Sequence, residues 1–285
     1  MQPRALIVGD LMSDISVRLS GPIAWGSDRR AEISVRSGGA AATQAIWLAR
    51  LGLRVDFVAR VGAADVKAES ARLAAYGVTP HLIADPDLQS GRLVLLLEPS
   101  GERSFLTDRG ANDALTPADI PDALITAADL IHLSGYSFVA ANPRAAAMSL
   151  IARAGRRPVS VDPGSAEFLR EIGPANFLRY IVGVKTLFPN DEEAATLGGA
   201  EVLAKQFPLV VVKRGPQGAE ASAAQQSWRV ASPSVAVIDT TGAGDAFVAA
   251  FLAAQALGAD VQVSLERAVV AGSLATTFLG GRPPL

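Results

Sequence analysis

The 285-residue sequence contains no cysteine and only two histidines, His81 and His132. Without a thiol there is no disulfide framework, no thiolate zinc or iron–sulfur site and no cysteine nucleophile. The two histidines lie too far apart in sequence for zinc-ligand spacing. His132, inside the apolar run Leu130-Ile131-His132-Leu133, reads as a core histidine with satisfied ring nitrogens. Neither sign of charge is in excess, with 26 Lys and Arg against 28 Asp and Glu, so no basic surface is expected for nucleic acid. No apolar run is long enough to span a bilayer, and the most membrane-like stretch, 246–257, contains Gln255. Asp10 and Asp14 follow closely behind the first apolar run, Ala5–Gly9, unlike a signal peptide. The expected setting is the cytoplasm, with no membrane partner. Chemistry is left to carboxylates, backbone amides, lysines or a metal that arrives with a ligand.

What is present is a repeating alternation. Short, near-continuously apolar runs at Ala5–Val8, Val55–Val61, Leu130–Leu133, Val159–Asp162, Thr186–Phe188 and Leu209–Lys213 read as strands covered on both faces. Between and after them, Ala41–Leu51, Ala68–Tyr76, Pro143–Ala154, Glu192–Leu197, Gly244–Leu257 and Leu265–Thr277 read as helices. Strand–helix alternation predicts a mostly parallel sheet in one α/β domain spanning 1–285, with ligands at the carboxyl ends of its strands. Ile15–Leu19, Arg30–Arg36, Arg92–Glu98 and Arg103–Thr107 instead alternate polar and apolar residues. They predict hairpins with one wet face, a small β appendage from segments 12–37 and 90–108.

The richest stretch is Val237-Ile238-Asp239-Thr240-Thr241-Gly242-Ala243-Gly244-Asp245-Ala246-Phe247. A strand end, a Gly-Ala-Gly turn and a helical run follow one another. Small residues admit close backbone approach, and the free first-turn amides and helix dipole make an anion site. Asp245 in that first turn is either a general base beside the anion or a cap of the helix. The stretch is neither a Walker loop nor a dinucleotide fingerprint, because no Gly-Lys-Ser/Thr follows and Phe247 stands at the third glycine.

Asp239 through Phe247 resembles the C-terminal signature of the ribokinase family of carbohydrate kinases, the PfkB group. Further similarities follow in family order: Gly9-Asp10 through Asp14, Ser37-Gly38-Gly39 leading to Gln44-Ala45, Gly110-Ala111-Asn112, Asn190-Asp191-Glu192-Glu193, and Val211 through Ala219. The resemblance implies a three-layer α/β/α fold with a small β-sheet lid, and an ATP- and Mg²⁺-dependent kinase. It implies that Asp245 is the base for the sugar's primary hydroxyl and that Gly242, Ala243 and Gly244 are the anion hole. Asn190 and Glu193 would organise Mg²⁺ and phosphate, partly through water. Gly215 and Gly218 would lie in the loop beside the nucleotide, and Lys213 on the strand before them either reaches a phosphate of the nucleotide or has a structural or surface role. Asp239 and Thr241 match a region that binds K⁺ in some members. Asp14, Gly38, Gly39 and Thr43 fall at the sugar end, and the lid implies a homodimer in several members.

Three departures fall outside the catalytic stretch. Thr43 replaces the family's usual Asn, Ala64 and Lys67 replace an Asp and a Gly, and Val269 replaces a nucleotide-side Asn. The expected activity is phosphorylation of a ribose-like sugar. The alternatives on the same scaffold are a nucleoside, pseudouridine or 2-keto-3-deoxygluconate-type kinase, and a non-catalytic ligand-binding relative. A keto-acid substrate would want a cation at the sugar end; Arg109 and Arg103 are the nearest in sequence, both read as exposed lid charges.

Overall fold

The structure, a computed structural model, describes residues 2–100, 103–224 and 226–284, with Arg103 described by its backbone alone. The strands are β1 (Arg4–Val8), β2 (Met12–Leu19), β3 (Ala31–Gly38), β4 (Arg54–Gly62), β5 (Val78–Asp85), β6 (Gly91–Leu97), β7 (Arg103–Asp108), β8 (Leu130–Ser134), β9 (Val159–Asp162), β10 (Thr186–Leu187), β11 (Leu209–Lys213), β12 (Ala219–Ala223) and β13 (Gln226–Val230). The helices are α1 (Ala40–Arg50), α2 (Val66–Ala75), α3 (Asp122–Ala127), α4 (Ala141–Arg153), α5 (Ala166–Ile172), α6 (Pro174–Tyr180), α7 (Asp191–Thr196), α8 (Ala200–Gln206), α9 (Ala243–Ala256) and α10 (Val261–Ala275).

The main sheet runs β13-β12-β11-β10-β9-β8-β1-β4-β5. Strands β5, β4, β1, β8, β9, β10 and β11 are parallel, and β12 and β13 extend one edge antiparallel. Successive side chains alternate faces, and both faces are covered. Ala5, Ile7 and Phe57 pack in one core with α1, α9 and α10, while Leu6, Val8 and Val58 pack in the other with α3 and α4. Each fully buried Ile, Leu or Phe there contributes about 1.5–3 kcal/mol, so the strands read as unbroken apolar runs. The expected α/β class, the mostly parallel sheet and the separate small sheet are all present. Helix α10 begins at Val261, ahead of the expected start, because Asp260 accepts the Val263 N–H at 2.8 Å.

The second sheet has the order β3-β2-β6-β7. Directly opposed residues share a face. Asp14 lies opposite Arg36 and beside Leu93, which faces Thr107; Ile15 lies opposite Val35 and beside Val94, which faces Leu106. One face therefore carries Asp14, Ser16, Arg36 and Thr107, together with Leu93, Leu95 and Phe105, and the other carries Ile15, Val17, Ile33, Val94, Leu96 and Leu106. The polar face turns toward the carboxyl ends of the main sheet, where these polar residues line a cavity. Ile33, Val35 and Leu106 on the opposite face are exposed. The wet face expected from the alternation is thus the one turned inward. Among the described residues no helix is long and apolar enough to cross a membrane.

Candidate active site

Two cavities meet above the carboxyl ends of the parallel strands. The larger, about 890 Å³, lies between the small sheet and the α/β body and is lined by Asp14, Gly38, Gly39, Thr43, Asp239 and Thr241. The smaller, about 360 Å³, is lined by Asp162, Asn190, Glu193, Lys213, Gly215 and Gly244. Gly242 and Asp245 line both.

Asp245 stands in the first turn of α9, whose N-cap is Gly242 with φ 72° and ψ 3°, and no side chain caps the helix. Of the two roles open to Asp245 from local sequence, the capping role is not the one it takes. The first bond into the helix is Ala246 N–H to Gly242 C=O at 2.9 Å. The amides of Gly244 and Asp245 precede that ladder, at the wall of the smaller cavity. The left-handed backbone at Gly242 is set by close approach as well as by the turn: a β-carbon there would lie 2.3 Å from Gly281 Cα. The segment 280–282 is thereby laid directly on the anion turn.

The Asp245 carboxyl is pushed well above the usual range by burial and then by the Asp162 and Asp10 carboxylates, against Lys213 and a hydrogen bond from Gln44. Gln44 is fully buried and reaches Asp162 at 3.4 Å. Its amide orientation follows from His132, which burial and then the Lys213 charge push down to about 3, so the ring is neutral. His132 lies between Ser160 Oγ at 2.8 Å and Gln44 Oε1 at 3.1 Å. With Nε2–H donating to Gln44 Oε1, the Gln44 NH₂ faces the carboxylates, which satisfies both ends. The core histidine expected from sequence is found, and it positions the amide beside Asp245.

On the other side of Asp245, Lys213 Nζ donates to both Asp162 oxygens at 2.8 Å. Burial works against the Lys213 ammonium, but Asp162 and Glu193 outweigh it and hold its pKa above the ordinary value. Asn190 and Glu193 close a capping box at the start of α7. Glu193 Oε2 accepts the Asn190 N–H at 2.8 Å, Oε1 accepts from Asn190 Nδ2 at 2.9 Å, and Asn190 Oδ1 accepts the Glu193 N–H at 2.8 Å. Burial raises the Glu193 carboxyl, against the Lys213 charge. Among the described residues no three His, Asp or Glu side chains converge to hold a metal directly. A divalent cation here fits only as one that keeps waters and takes its other ligands from a bound phosphate.

In the larger cavity Asp14 sits over Gly38 so closely that a β-carbon at Gly38 would lie 1.9 Å from Asp14 Oδ2. Burial raises the Asp14 carboxyl to about 6, against Arg282 and with Asp10. Thr43 is buried at the cavity wall. Asp239 Oδ1 accepts the Thr241 N–H at 3.0 Å and hydroxyl at 2.7 Å, and Oδ2 accepts the Gly280 N–H at 3.0 Å.

Some sequence-derived positions lie off the walls. The Ala243 N–H is engaged by Thr240 C=O at 3.3 Å, and Ala243 lines neither cavity. Gly218 is packed against the Val230 carbonyl rather than the smaller cavity. Val269 is buried in the core. Arg109 is 8% exposed rather than a surface charge, held by Asp113 at 2.8 Å beside the Tyr136 ring. The Arg103 side chain lies outside the described residues. Conversely, Asp162, Arg36 and Arg282 line the cavities but carry no role in the sequence reading, and Asp10 and Gln44, named there only within motif similarities, line them as well. Asp10, for instance, accepts the Ala40 N–H at 2.9 Å at the start of α1, and its place two residues past an apolar strand was the available signal.

Residues 2–285 match the family described as pfkB family carbohydrate kinase. The chain is 32% identical, over 98% of its length and 94% of the relative, to the ATP-dependent ribose-1-phosphate kinase of Halopiger xanaduensis. It is 31% identical to the ribokinase of Bacillus subtilis, covering 86% of this chain and 83% of that one. Its fold matches a putative ribokinase II of E. coli, solved with ATP and Mg²⁺, at a TM-score of 0.86 and 23% identity over 99% of this chain and 94% of the other. By this match and these relatives the chain belongs to the pfkB family of carbohydrate kinases.

Proposed function

We propose that the protein transfers the γ-phosphoryl of ATP to the primary hydroxyl of a pentose-type sugar. The observation that carries this is the position of Asp245 and Gly242 on both cavities, where one carboxylate and one anion turn can serve donor and acceptor together. The sugar occupies the larger cavity, with Asp14 accepting hydrogen bonds from its hydroxyls over Gly38 and Gly39, beside Thr43. The triphosphate occupies the smaller cavity, along Asn190, Glu193, Lys213 and Gly215, with its γ-phosphoryl on the amides of Gly244 and Asp245.

In the reaction the hydroxyl oxygen attacks the γ-phosphorus as its proton passes to Asp245, the bond to the β–γ bridging oxygen breaks, and ADP leaves. A base with a raised pKa suits proton acceptance near neutral pH, and the fixed amides meet the charge spread over the transferring group. Mg²⁺ bound with the nucleotide would neutralise phosphate charge, held through water by Asn190 and Glu193. The hard oxygens of Asp239 and Thr241 suit a monovalent cation such as K⁺ next to the anion turn. A nucleotide donor fits a cytoplasmic enzyme. Residues 1–285 act as one kinase domain, with 12–37 and 90–108 as its lid.

Coupled ADP release over a panel of aldopentoses, pentose phosphates, hexoses and nucleosides tests this, and ADP release dependent on a pentose-type acceptor is expected. Its KM should rise as pH falls through about 6, where the Asp14 carboxylate takes up a proton and loses an acceptor. Asp14→Asn should flatten that profile. Turnover with no sugar of the panel would defeat the proposal.

The apolar outer face of the lid also supports a homodimer. Sedimentation velocity should give twice the 29.5 kDa chain mass, reduced to one chain mass by Ile33→Glu with Leu106→Lys.

A further inference from the structure

Four guanidinium groups line the larger cavity: Arg36, Arg72, Arg109 and Arg282. Two are spoken for within the protein, Arg109 by Asp113 at 2.8 Å and Arg72 by Glu69 at 3.4 Å. The other two flank one short segment. Arg282 donates through Nη1 to Ser37 Oγ at 2.8 Å and through Nη2 to the Gly38 carbonyl at 2.9 Å, while its Nε is buried without a hydrogen-bond partner. Arg36 reaches over Gly280, where a β-carbon would lie 2.9 Å from its Nη1. It stands directly opposite Asp14 in the β2–β3 register, yet among the described residues its side chain makes no hydrogen bond or ion pair.

A neutral sugar does not account for this. Its hydroxyls are met by a carboxylate such as Asp14 and leave the Arg36 guanidinium at the cavity wall without an anion. Burial also disfavours the Arg282 charge, which Glu69 and Asp14 partly offset. Two planar guanidinium groups lining one cavity suit the several acceptor oxygens of a phosphate ester. The pocket lies on the acceptor side of Asp245, separate from the cavity assigned to ATP.

We propose that the acceptor is a sugar phosphate, its phosphate held by Arg282 and Arg36 at the end of the sugar remote from the hydroxyl that is phosphorylated. This deepens the sugar-kinase reading above and rests on it. The product is accordingly a sugar bisphosphate, so the supplying reaction must deliver a sugar already phosphorylated at that remote carbon.

The test compares kcat/KM for ADP release with ribose 1-phosphate, ribose and 2-keto-3-deoxygluconate as acceptors. Ribose 1-phosphate is expected to exceed ribose by at least about 100-fold. Arg36→Gln should raise KM for the sugar phosphate tenfold or more, with kcat and KM for ribose each changed less than threefold, and Arg282→Gln should raise KM for the sugar phosphate at least as much. Because Arg282 also holds Ser37 and Gly38, Arg36→Gln supplies the variant on an exposed strand, away from that backbone contact. Equal use of ribose and ribose 1-phosphate, or a preference for the sugar acid, would overturn the sugar-phosphate assignment and leave the kinase reading standing. So would an Arg36→Gln variant that raises KM equally for both pentoses. ATP turnover with none of the three would overturn both.

Discussion

Asp245→Asn is expected to lower kcat by about 10²–10⁴-fold, the range a positioned general base supplies. The amide keeps the shape of the carboxyl but cannot take the hydroxyl proton, so calorimetric binding of ATP and of the acceptor should persist. Stability should move the other way. The Asp245 carboxyl is pushed well above its ordinary value by burial and by Asp162 and Asp10, so ionising it costs the folded state more than the unfolded one. That cost is fully present above the folded-state pKa, shrinks as pH falls below it, and is gone only below the ordinary carboxylate value of the unfolded chain. At neutral pH the Asn variant should therefore melt at a higher temperature than the parent, with a flatter dependence of melting temperature on pH. Loss of turnover with a raised melting temperature is the signature of a functional carboxylate held at a stability cost. A variant retaining full kcat would remove Asp245 from the chemistry.

Gly242→Ala is expected to cost both turnover and stability, by a different route. The residue adopts φ 72°, and its new β-carbon would meet Gly281 Cα at 2.3 Å and Gly281 O at 2.6 Å. The left-handed backbone alone costs an alanine about 1–2 kcal/mol. The clash is with backbone, so no rotamer relieves it and the anion turn must separate from segment 280–282. That separation strains the Asp239–Gly280 bond, the Trp47 Nε1–H to Gly281 C=O bond at 2.9 Å, and the Arg282 contacts with Ser37 and Gly38. A loss of about 10²–10³-fold in kcat is expected from misplaced anion-hole amides, together with a lower melting temperature and a raised acceptor KM. Asp245→Asn should leave acceptor KM nearly constant, so steady-state kinetics tell the two mechanisms apart. An alanine variant with parental kinetics would show that the turn and the C-terminal segment are not coupled.

The parts of the site legible in the sequence are those set by local chemistry. A Gly-Ala-Gly turn ahead of a helix has few backbone options, and its free amides follow from helix geometry whatever surrounds it. Continuous apolar runs such as Leu209–Lys213 become buried strands because both faces of an inner strand are covered. Strand β5 was missed because it lies at the sheet edge, half exposed and carrying Pro80 and His81, a composition tolerated only where one side of the strand needs no partner. Strand β12, built from Ala219-Glu220-Ala221-Ser222-Ala223, has small residues and a weak alternation. Helices α5, α6 and α8 are seven residues long, too short to show a helical period, whereas α7, at six residues, is legible through its Asn cap and acidic first turn.

The sequence by itself determined the fold class, the anion turn and Asp245, because each rests on hydropathy period or on backbone rules acting within a few residues. Only the tertiary structure decided what surrounds them. Gln44 reaches Asp245 through a fold that brings α1 under α9; Asp162 meets Lys213 across β9, β10 and β11; Arg282 meets Ser37 and Gly38 from the far end of the chain. The faces of the small sheet were decided the same way. Alternation distinguishes a polar face from an apolar one, but which face turns inward depends on what the sheet covers. Here it covers a cavity of carboxylates and guanidinium groups, so the polar face closes over the site and the apolar face is left outside.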